Sequence, residues 1–216
     1  MTTASAQSTD SRRLIGLTGG IATGKTTVSS YLATVHQLPI LDADRYAREA
    51  VQPRSEIWQR VVDRYGTEIL ADEEHLDRKR LGEIIFHDAE ERHWLEAQIH
   101  PYVNQCFADM LEALHDQPTL VLVIPLLFEV GLVDQVSEVW VVSCAEAQQI
   151  ERLVKRDQLS LEEAQARIQA QMPLSEKCAR AQVVLDNSGD RELLQAQIDQ
   201  ALLRSVPDGL TTVGQT

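Results

Sequence analysis

Short apolar runs alternate with longer amphipathic stretches along most of the chain. The apolar runs are too short for helices and resemble the strands of a sheet that is buried on both faces; they cover residues 14–18, 38–41, 120–124, 138–142 and 183–185. Helical periodicity predicts helices from residue 24 or 25 to about 35, over 145–156, after Ser160 and over 192–203. This alternation predicts an α/β fold in which a parallel sheet carries helices on both faces.

The segment from residue 45 to 117 departs from that alternation. Its pattern is helical throughout, and it contains no convincing central strand. Within it, apolar residues recur at helical spacing from Trp94 to Leu114, and the stripe passes straight through Pro101. A proline inside a helix removes one hydrogen bond, so we expect the helix to break or kink near His100. We interpret 45–117 as a helical insertion after the second strand.

A glycine-rich loop lies between the first strand and the first helix. Residues 19–26 fit the phosphate-binding pattern G-x-x-x-x-G-K-[ST]. Gly19 and Gly24 allow backbone angles that a Cβ would resist, so that successive N–H groups can point inward. Lys25 supplies a mobile charge for phosphates, and the Thr26 hydroxyl is suited to Mg²⁺. The pattern alone is permissive, but its position after an apolar strand and before a helix predicts a nucleotide site.

Two carboxylates end the second strand. Asp42 and Asp44 alternate along the chain, so both can point to one side of a strand. Facing a triphosphate, they would suit Mg²⁺ binding and the activation of a hydroxyl acceptor. The alternative is an Asp-rich turn in which Asp44 caps the next helix. Ligands of such folds bind outside the carboxyl ends of the strands, where both the loop and this pair fall.

Composition narrows the choice of partners. The formal net charge of −13 argues against a broad nucleic-acid surface, although basic residues gather locally at 78–80 and 152–156. No apolar run approaches the roughly 18 residues of a membrane span. The three cysteines form no C-x-x-C pair, which fits a cytoplasmic protein. We expect residues 1–11 to be a disordered tail rather than a secretory signal, and residues 206–216 to be loose.

Several sequence blocks, in order, resemble those of dephospho-coenzyme A kinases. They are the loop with its flanks (16–28), Leu-Asp-Ala-Asp at 41–44, Leu-Asp-Arg at 76–78, Ile-Phe at 85–86, Trp-Leu at 94–95, His-Pro at 100–101, Pro-Leu-Leu-Phe-Glu at 125–129 and Leu-Asp-Asn at 185–187. Beyond the loop no single block is decisive, but the ordered set is specific. The resemblance implies a three-layer P-loop kinase fold with a helical substrate-binding insertion and a helical lid.

The resemblance also implies an activity. ATP, with Mg²⁺, would phosphorylate the ribose 3′-hydroxyl of dephospho-coenzyme A, the last step of coenzyme A synthesis. Residues 12–44, 118–144 and 182–205 would form the nucleotide-binding core, 45–117 the coenzyme A-binding domain and 145–181 the lid. We expect a small-molecule substrate, no nucleic acid, no membrane, and a monomer or small homo-oligomer.

The resemblance assigns roles to individual residues. Catalytic roles fall to Asp44, Lys25 and Arg156, and Mg²⁺ binding to Thr26, Asp42 and Asp44. Substrate contacts fall to Asp42, Asp44, Arg78, His100 and Glu129. The nucleotide would contact Gly19, Gly20, Ile21, Ala22, Thr23, Gly24, Lys25, Thr26, Thr27, Arg152 and Asn187, with Asn187 near the adenine.

Some of these residues keep simpler interpretations from the pattern alone. Arg152 and Arg156 lie one helical turn apart, so they can face one ligand or form a solvated helix face. His100 can contact substrate or cap the kinked helix, and Glu129 can orient a neighbour in the acceptor site or cap a turn. The chain also departs from the family, which more often has Gly-Ser at positions 22–23 and a small residue at Arg80. Arg80 can contact an anion or simply face solvent.

Two other functions are compatible with a phosphate loop. The first is a P-loop kinase of a nucleoside monophosphate, shikimate or a sugar acid; the large helical insertion and the ordered blocks disfavour it. The second is a nucleotide switch. A GTPase would need an N-K-x-D guanine motif, which is absent, and the D-x-x-G match at 186–189 falls too late in the chain for a switch region.

Overall fold

The predicted strands form one five-stranded sheet. The computed structural model describes residues 12–204, so both predicted loose tails lie outside the described residues. The sheet order is β2-β3-β1-β4-β5, with the strands β1 (Arg13–Gly19), β2 (Ile40–Asp42), β3 (Thr119–Val123), β4 (Glu138–Ser143) and β5 (Val183–Asp186). β1 pairs in parallel with β3 and with β4, and β4 pairs in parallel with β5. The predicted parallel α/β fold is confirmed.

Helices follow the strands with bounds close to those predicted. They are α1 (Lys25–Thr34), α2 (Ala43–Ala50), α3 (Glu56–Tyr65), α4 (Arg78–His87), α5 (Ala89–Ala113), α6 (Glu146–Asp157), α7 (Leu161–Gln169), α8 (Leu174–Ala179) and α9 (Arg191–Leu202). The helix predicted after Ser160 is α7, and Ser160 and Glu163 form a capping box at its start. None of the helices within residues 12–204 combines the length and the apolar character needed to cross a membrane.

The chain divides into two compact units. The first holds the residues up to 40 and from 116 onward, and the second holds residues 41–115. In the first unit, α1 and α9 pack on one face of the sheet through buried side chains that include Val28, Leu32, Leu194 and Ile198. Burial of these apolar side chains is the main force that fixes the helices against the strands.

The second unit contains α2 to α5 and has a core of its own. Its buried residues are Val61, Ile69, Leu76, Leu81 and Leu95. The assignment of residues 45–117 to coenzyme A and of 145–181 to a lid stays a prediction. Of the break or kink predicted near His100, the break is wrong, because α5 runs unbroken from 89 to 113, and the kink stays a prediction. Pro101 removes only one hydrogen bond, while Leu95, Val103 and Phe107 are buried on either side of it and hold the helix.

An ionic cluster joins α3 to α5 in the second unit. The Arg64 guanidinium donates two hydrogen bonds to Glu91, of 2.6 and 2.7 Å, and the Tyr65 hydroxyl donates a third of 2.6 Å. Arg64 also lies over the Trp94 ring, 4.4 Å from its centroid. These bonds, those from Arg64 above all, lower the pKa of Glu91 to about 2. The carboxylate therefore stays charged and bonded over the physiological pH range.

The Arg13 side chain ties the first strand to the fourth strand and to the last helix. Arg13 on β1 pairs with Glu138 on β4, and their side chains are only 14% and 7% exposed. The same guanidinium donates to the carbonyl oxygens of Leu202 (2.8 Å) and Ala201 (3.1 Å) at the end of α9. One cation thus satisfies a buried carboxylate and caps the helix that closes the fold.

Replacing Arg13 by Met should destabilise the protein strongly. The substitution leaves the Glu138 carboxylate buried without a counter-charge, which costs about 3–5 kcal/mol of unfolding free energy. Arg60→Met is the matched control, because Arg60 pairs with Glu56 at the surface and such pairs contribute about 1 kcal/mol or less. Urea unfolding measures both; equal losses would contradict the assigned role of the buried pair.

Candidate active site

The glycine-rich loop follows β1 directly and ends where α1 begins. Gly19 has φ +153° and Gly24 has φ +106°, a region that side chains resist. A Cβ on Gly19 would collide with the carbonyl oxygen of Val142, and one on Gly24 with the side-chain amide of Asn187. The need for glycine at both positions, predicted from the pattern, is therefore confirmed.

The loop opens onto a helix terminus that suits an anion. Helix α1 has no side-chain cap and no acidic residue in its first turn, so its first N–H groups and its positive dipole end favour a phosphate. Lys25 curls back over the loop, and its Nζ donates to the carbonyl oxygens of Gly20 (2.8 Å) and Gly19 (3.2 Å). Thr26 is exposed in the first turn. A cation and a hydroxyl thus lie beside the helix N-terminus.

Side chains from later in the chain hold the loop by its carbonyl groups. Asn187 Nδ2 donates to the Thr23 carbonyl oxygen (2.7 Å). The Arg152 guanidinium donates to the carbonyl oxygens of Ala22 (3.2 Å), Thr23 (3.3 Å) and Asn187 (3.1 Å). Both residues were predicted to contact the nucleotide. They lie against the loop, and direct contact with ATP stays a prediction for each.

Two glutamines that the sequence analysis did not select also bind the loop. Gln149 Nε2 donates to the Ile21 carbonyl oxygen (2.7 Å), and Gln171 Oε1 accepts the Ile21 N–H (2.9 Å). Gln149 is almost fully buried on α6, four residues before the buried Leu153. That position on the apolar face was a usable signal, whereas nothing in the local sequence marks Gln171.

The two arginines of α6 have different partners. Arg152 is half-buried against the loop, but Arg156 is exposed and makes two hydrogen bonds to Asp157, of 2.7 and 2.8 Å. The Arg156 guanidinium holds the pKa of Asp157 below its usual value. In the structure the two guanidinium groups therefore bind different partners. The catalytic role of Arg156 stays a prediction.

Asp42 and Asp44 belong to the second unit. Asp42 ends β2 and is the N-cap of α2, where its carboxylate accepts the N–H groups of Asp44 (2.9 Å) and Arg45 (3.3 Å). The cap is thus Asp42, rather than the Asp44 of the alternative interpretation. Asp44 is exposed in the first turn of the helix, so the expectation that both carboxylates share one side of a strand is wrong.

The candidate metal ligands suit an Mg²⁺ ion that is also bound by nucleotide phosphates, rather than a metal ion that protein side chains bind alone. Within residues 12–204, no three His, Cys, Asp or Glu side chains are grouped to hold a metal. Mg²⁺ at a nucleotide usually takes one or two protein oxygens and completes its shell with phosphates and water. The hydroxyl of Thr26 and the carboxylates of Asp42 and Asp44 are oxygen donors of that kind. Their metal roles stay predictions.

The remaining predicted substrate residues are spread over both units. Arg78 is exposed at the start of α4, and His100 is exposed in the interior of α5, so His100 caps no helix end. Arg80 donates to the carboxylate (2.9 Å) and the carbonyl oxygen (2.6 Å) of Glu68, which favours a structural role. In the first unit, Glu129 pairs with the fully buried Lys177 (2.7 Å). Substrate binding by Arg78, His100 and Glu129 stays a prediction.

Comparison with known proteins places the chain in one family. The family model described as dephospho-CoA kinase matches residues 13–192. A dephospho-CoA kinase from Synechocystis sp. is 57% identical over 190 residues, which are 88% of this chain and 94% of the relative. Another, from Trichormus variabilis, is 56% identical over 88% of this chain and 97% of the relative.

Solved structures agree with the sequence relatives. A protein from Thermus thermophilus described as TT1252 matches with a TM-score of 0.75 and 35% identity, over 90% of this chain and 99% of the other. A dephospho-CoA kinase from Campylobacter jejuni matches with a TM-score of 0.64 and 25% identity, over 88% and 94% of the two chains. The chain belongs to the dephospho-CoA kinase family.

Proposed function

We propose that this chain transfers the γ-phosphoryl group of ATP to the ribose 3′-hydroxyl of dephospho-CoA and releases ADP and CoA. Family membership carries this proposal, since the family model covers residues 13–192 and the glycines of the loop are held in the angles that the motif requires. The enzyme is accordingly an ATP-dependent kinase. The N-terminus of α1, which has no side-chain cap, supports the binding of ATP, the phosphoryl donor.

On the donor side, the loop would hold the phosphate chain of ATP. The N–H groups around the start of α1 favour its negative oxygens, and Lys25 Nζ would leave the loop carbonyl groups to reach the β- and γ-phosphates. Mg²⁺, when bound, neutralises the charge that develops on the phosphates. We propose that side-chain oxygens of Thr26, Asp42 and Asp44 bind this Mg²⁺.

On the acceptor side, Asp44 would orient the ribose hydroxyl and accept its proton. Phosphoryl transfer has a loose transition state with little early need for proton removal, so positioning contributes at least as much as basicity. Arg156 is proposed to stabilise the transferring phosphoryl charge. Arg78 and His100 are proposed to bind the phosphates and body of the acceptor.

The cellular compartment and the binding partners of the enzyme are proposed from its cysteines and its charge. All three cysteines are free thiols, which fits a reducing compartment such as the cytoplasm. The acceptor is a small molecule, and the net charge of −13 is unfavourable for binding nucleic acid. The enzyme is proposed to be a monomer or a small homo-oligomer.

Incubation with ATP, Mg²⁺ and dephospho-CoA tests the activity. We expect mass spectrometry to detect CoA, and we expect no phosphate transfer when shikimate or a nucleoside monophosphate replaces the acceptor. Transfer to one of those rivals would identify a different P-loop kinase. Slow ATP hydrolysis with no acceptor phosphorylated would favour a nucleotide switch instead.

Asp44→Asn should lower kcat by roughly 10²–10⁴-fold, the usual range for the loss of a positioned acid-base group. Lys25→Ala should be at least as damaging, because it removes the only lysine of the phosphate motif. Glu49→Gln, on the same helix as Asp44, is the control and should leave kcat close to that of the unmodified enzyme. Near-normal kcat for Asp44→Asn would show that the assigned role is wrong.

Asp42 can be tested for a metal role separately from its role as a helix cap. Asn caps helices about as well as Asp, so Asp42→Asn should keep the stability of the protein while it raises the Mg²⁺ concentration needed for half-maximal activity. Asp42→Ala should do the same and also lose about 1 kcal/mol of unfolding free energy. An unchanged Mg²⁺ requirement in Asp42→Asn would limit Asp42 to capping.

A further inference from the structure

Residues 171–177 form a connecting strap from the end of α7 into α8. Together with Gly20, Gln149 and the end of β4, residues of this strap line a cavity of about 640 Å³. Gly20 is the second residue of the phosphate loop, so the position of the strap determines the shape of the space beside the loop. The strap is fixed at two points, one on the loop itself and one on the segment after β3.

At the first point, two side-chain amides bracket the Ile21 peptide. Gln149 donates to its carbonyl oxygen, and Gln171, the first residue of the strap, accepts its N–H. A peptide held on both sides in this way has little freedom to rotate. The contact with Gln149 comes from a helix, whereas the contact with Gln171 depends on where the strap lies.

At the second point, an ion pair between a fully buried lysine and a partly exposed glutamate anchors the strap. Lys177 is fully buried, and its Nζ lies 2.7 Å from Glu129 Oε1. The same carboxylate oxygen accepts the N–H of Met172, the residue next to Gln171, at 3.1 Å. One carboxylate thus binds the strap both at its start and at its end.

The anchor also reaches the strand that leads into the loop. Lys177 Nζ approaches the Pro125 carbonyl oxygen at 3.5 Å, and the Thr18 hydroxyl donates to the same oxygen at 3.0 Å. Thr18 immediately precedes Gly19. The contacts therefore run from the stem of the phosphate loop through Pro125, Lys177 and Glu129 to the strap, and return to the loop at Ile21.

Burying the charged Lys177 side chain is a costly way to obtain stability alone. An apolar side chain of similar size often stabilises a protein as much or more, because a buried charge loses its hydration. The pair instead fixes the orientation of the strap, because the Glu129 carboxylate binds both the Lys177 ammonium and the Met172 N–H. This distinguishes it from a packing contact, which would hold the strap without orienting it.

We infer that Lys177 and Glu129 are positioning residues that hold the strap so that Gln171 accepts the Ile21 N–H and keeps the phosphate loop in its nucleotide-binding shape. The inference rests on the proposed nucleotide role of the loop, but not on the identity of the acceptor. It gives Glu129 a function without substrate contact. Loss of the contact weakens nucleotide binding, because the loop must then be ordered at the moment of binding.

Isothermal titration calorimetry with ADP and Mg²⁺, in the absence of any acceptor, tests this inference. Gln171→Ala should weaken ADP binding about 3- to 10-fold, the range expected for one lost ordering hydrogen bond. Gln169→Ala is the matched control, since Gln169 lines the same cavity and has no hydrogen bond to the loop among the described residues. Its ADP affinity should stay within about twofold of the unmodified protein.

The double variant Glu129→Leu/Lys177→Met separates positioning from stability. It should keep a melting temperature close to that of the unmodified protein, while its ADP affinity falls as far as that of Gln171→Ala. Adding Gln171→Ala to it should cause little further loss, because all three changes break one contact chain. If the double variant does not fold, Lys177→Met alone, which removes the buried charge and leaves the partly exposed Glu129 carboxylate to solvent, should lower the ADP affinity in the same direction.

Several results would overturn the inference. These are unchanged or tighter ADP binding by Gln171→Ala, a double variant with full ADP affinity, or losses that simply add in the triple variant. Failure to phosphorylate dephospho-CoA would reject the proposed reaction and leave these ADP measurements interpretable. If the unmodified protein bound no ADP at all, both proposals would fail.

Discussion

The structure depends most on how the phosphate loop is held. A phosphate site needs backbone N–H groups that face the ligand, and such groups are only useful if the loop cannot turn them to its own carbonyl oxygens. Here the carbonyl groups of residues 21–23 are occupied by Gln149, Arg152 and Asn187. With its carbonyl side engaged by these three side chains, the loop leaves the N-terminus of α1 available for an anion.

The fold and the loop could be predicted because their signals are local. Buried parallel strands appear as short apolar runs, and the phosphate motif combines glycines, a lysine and a hydroxyl within eight residues. The fold class predicted from those patterns is confirmed, and so are the family and the kinase activity implied by the resemblance of the ordered sequence blocks. The residue roles assigned to Asp44, Arg156 and Glu129 remain predictions, because they concern ligands and contacts that the chain alone does not contain.

The contacts that support the loop could not be predicted, because they join distant residues. Gln171 is 150 positions from Ile21, and Lys177 is 48 positions from Glu129, so no spacing rule relates them. Pro101 shows the opposite failure, since a local rule predicted a break that packing on both sides of the proline overrode. At Ala22 the chain has φ +59°, a conformation that favours glycine, which explains in physical terms why the family more often has glycine there.

The central claim is that residues 19–26 hold the nucleotide phosphates. A crystal structure with ADP, Mg²⁺ and dephospho-CoA tests it most directly. We expect the β-phosphate at the N-terminus of α1, with Lys25 Nζ moved from the carbonyl oxygens of Gly19 and Gly20 onto the phosphate. Phosphates bound elsewhere, with Lys25 still on those two carbonyl oxygens, would contradict the account.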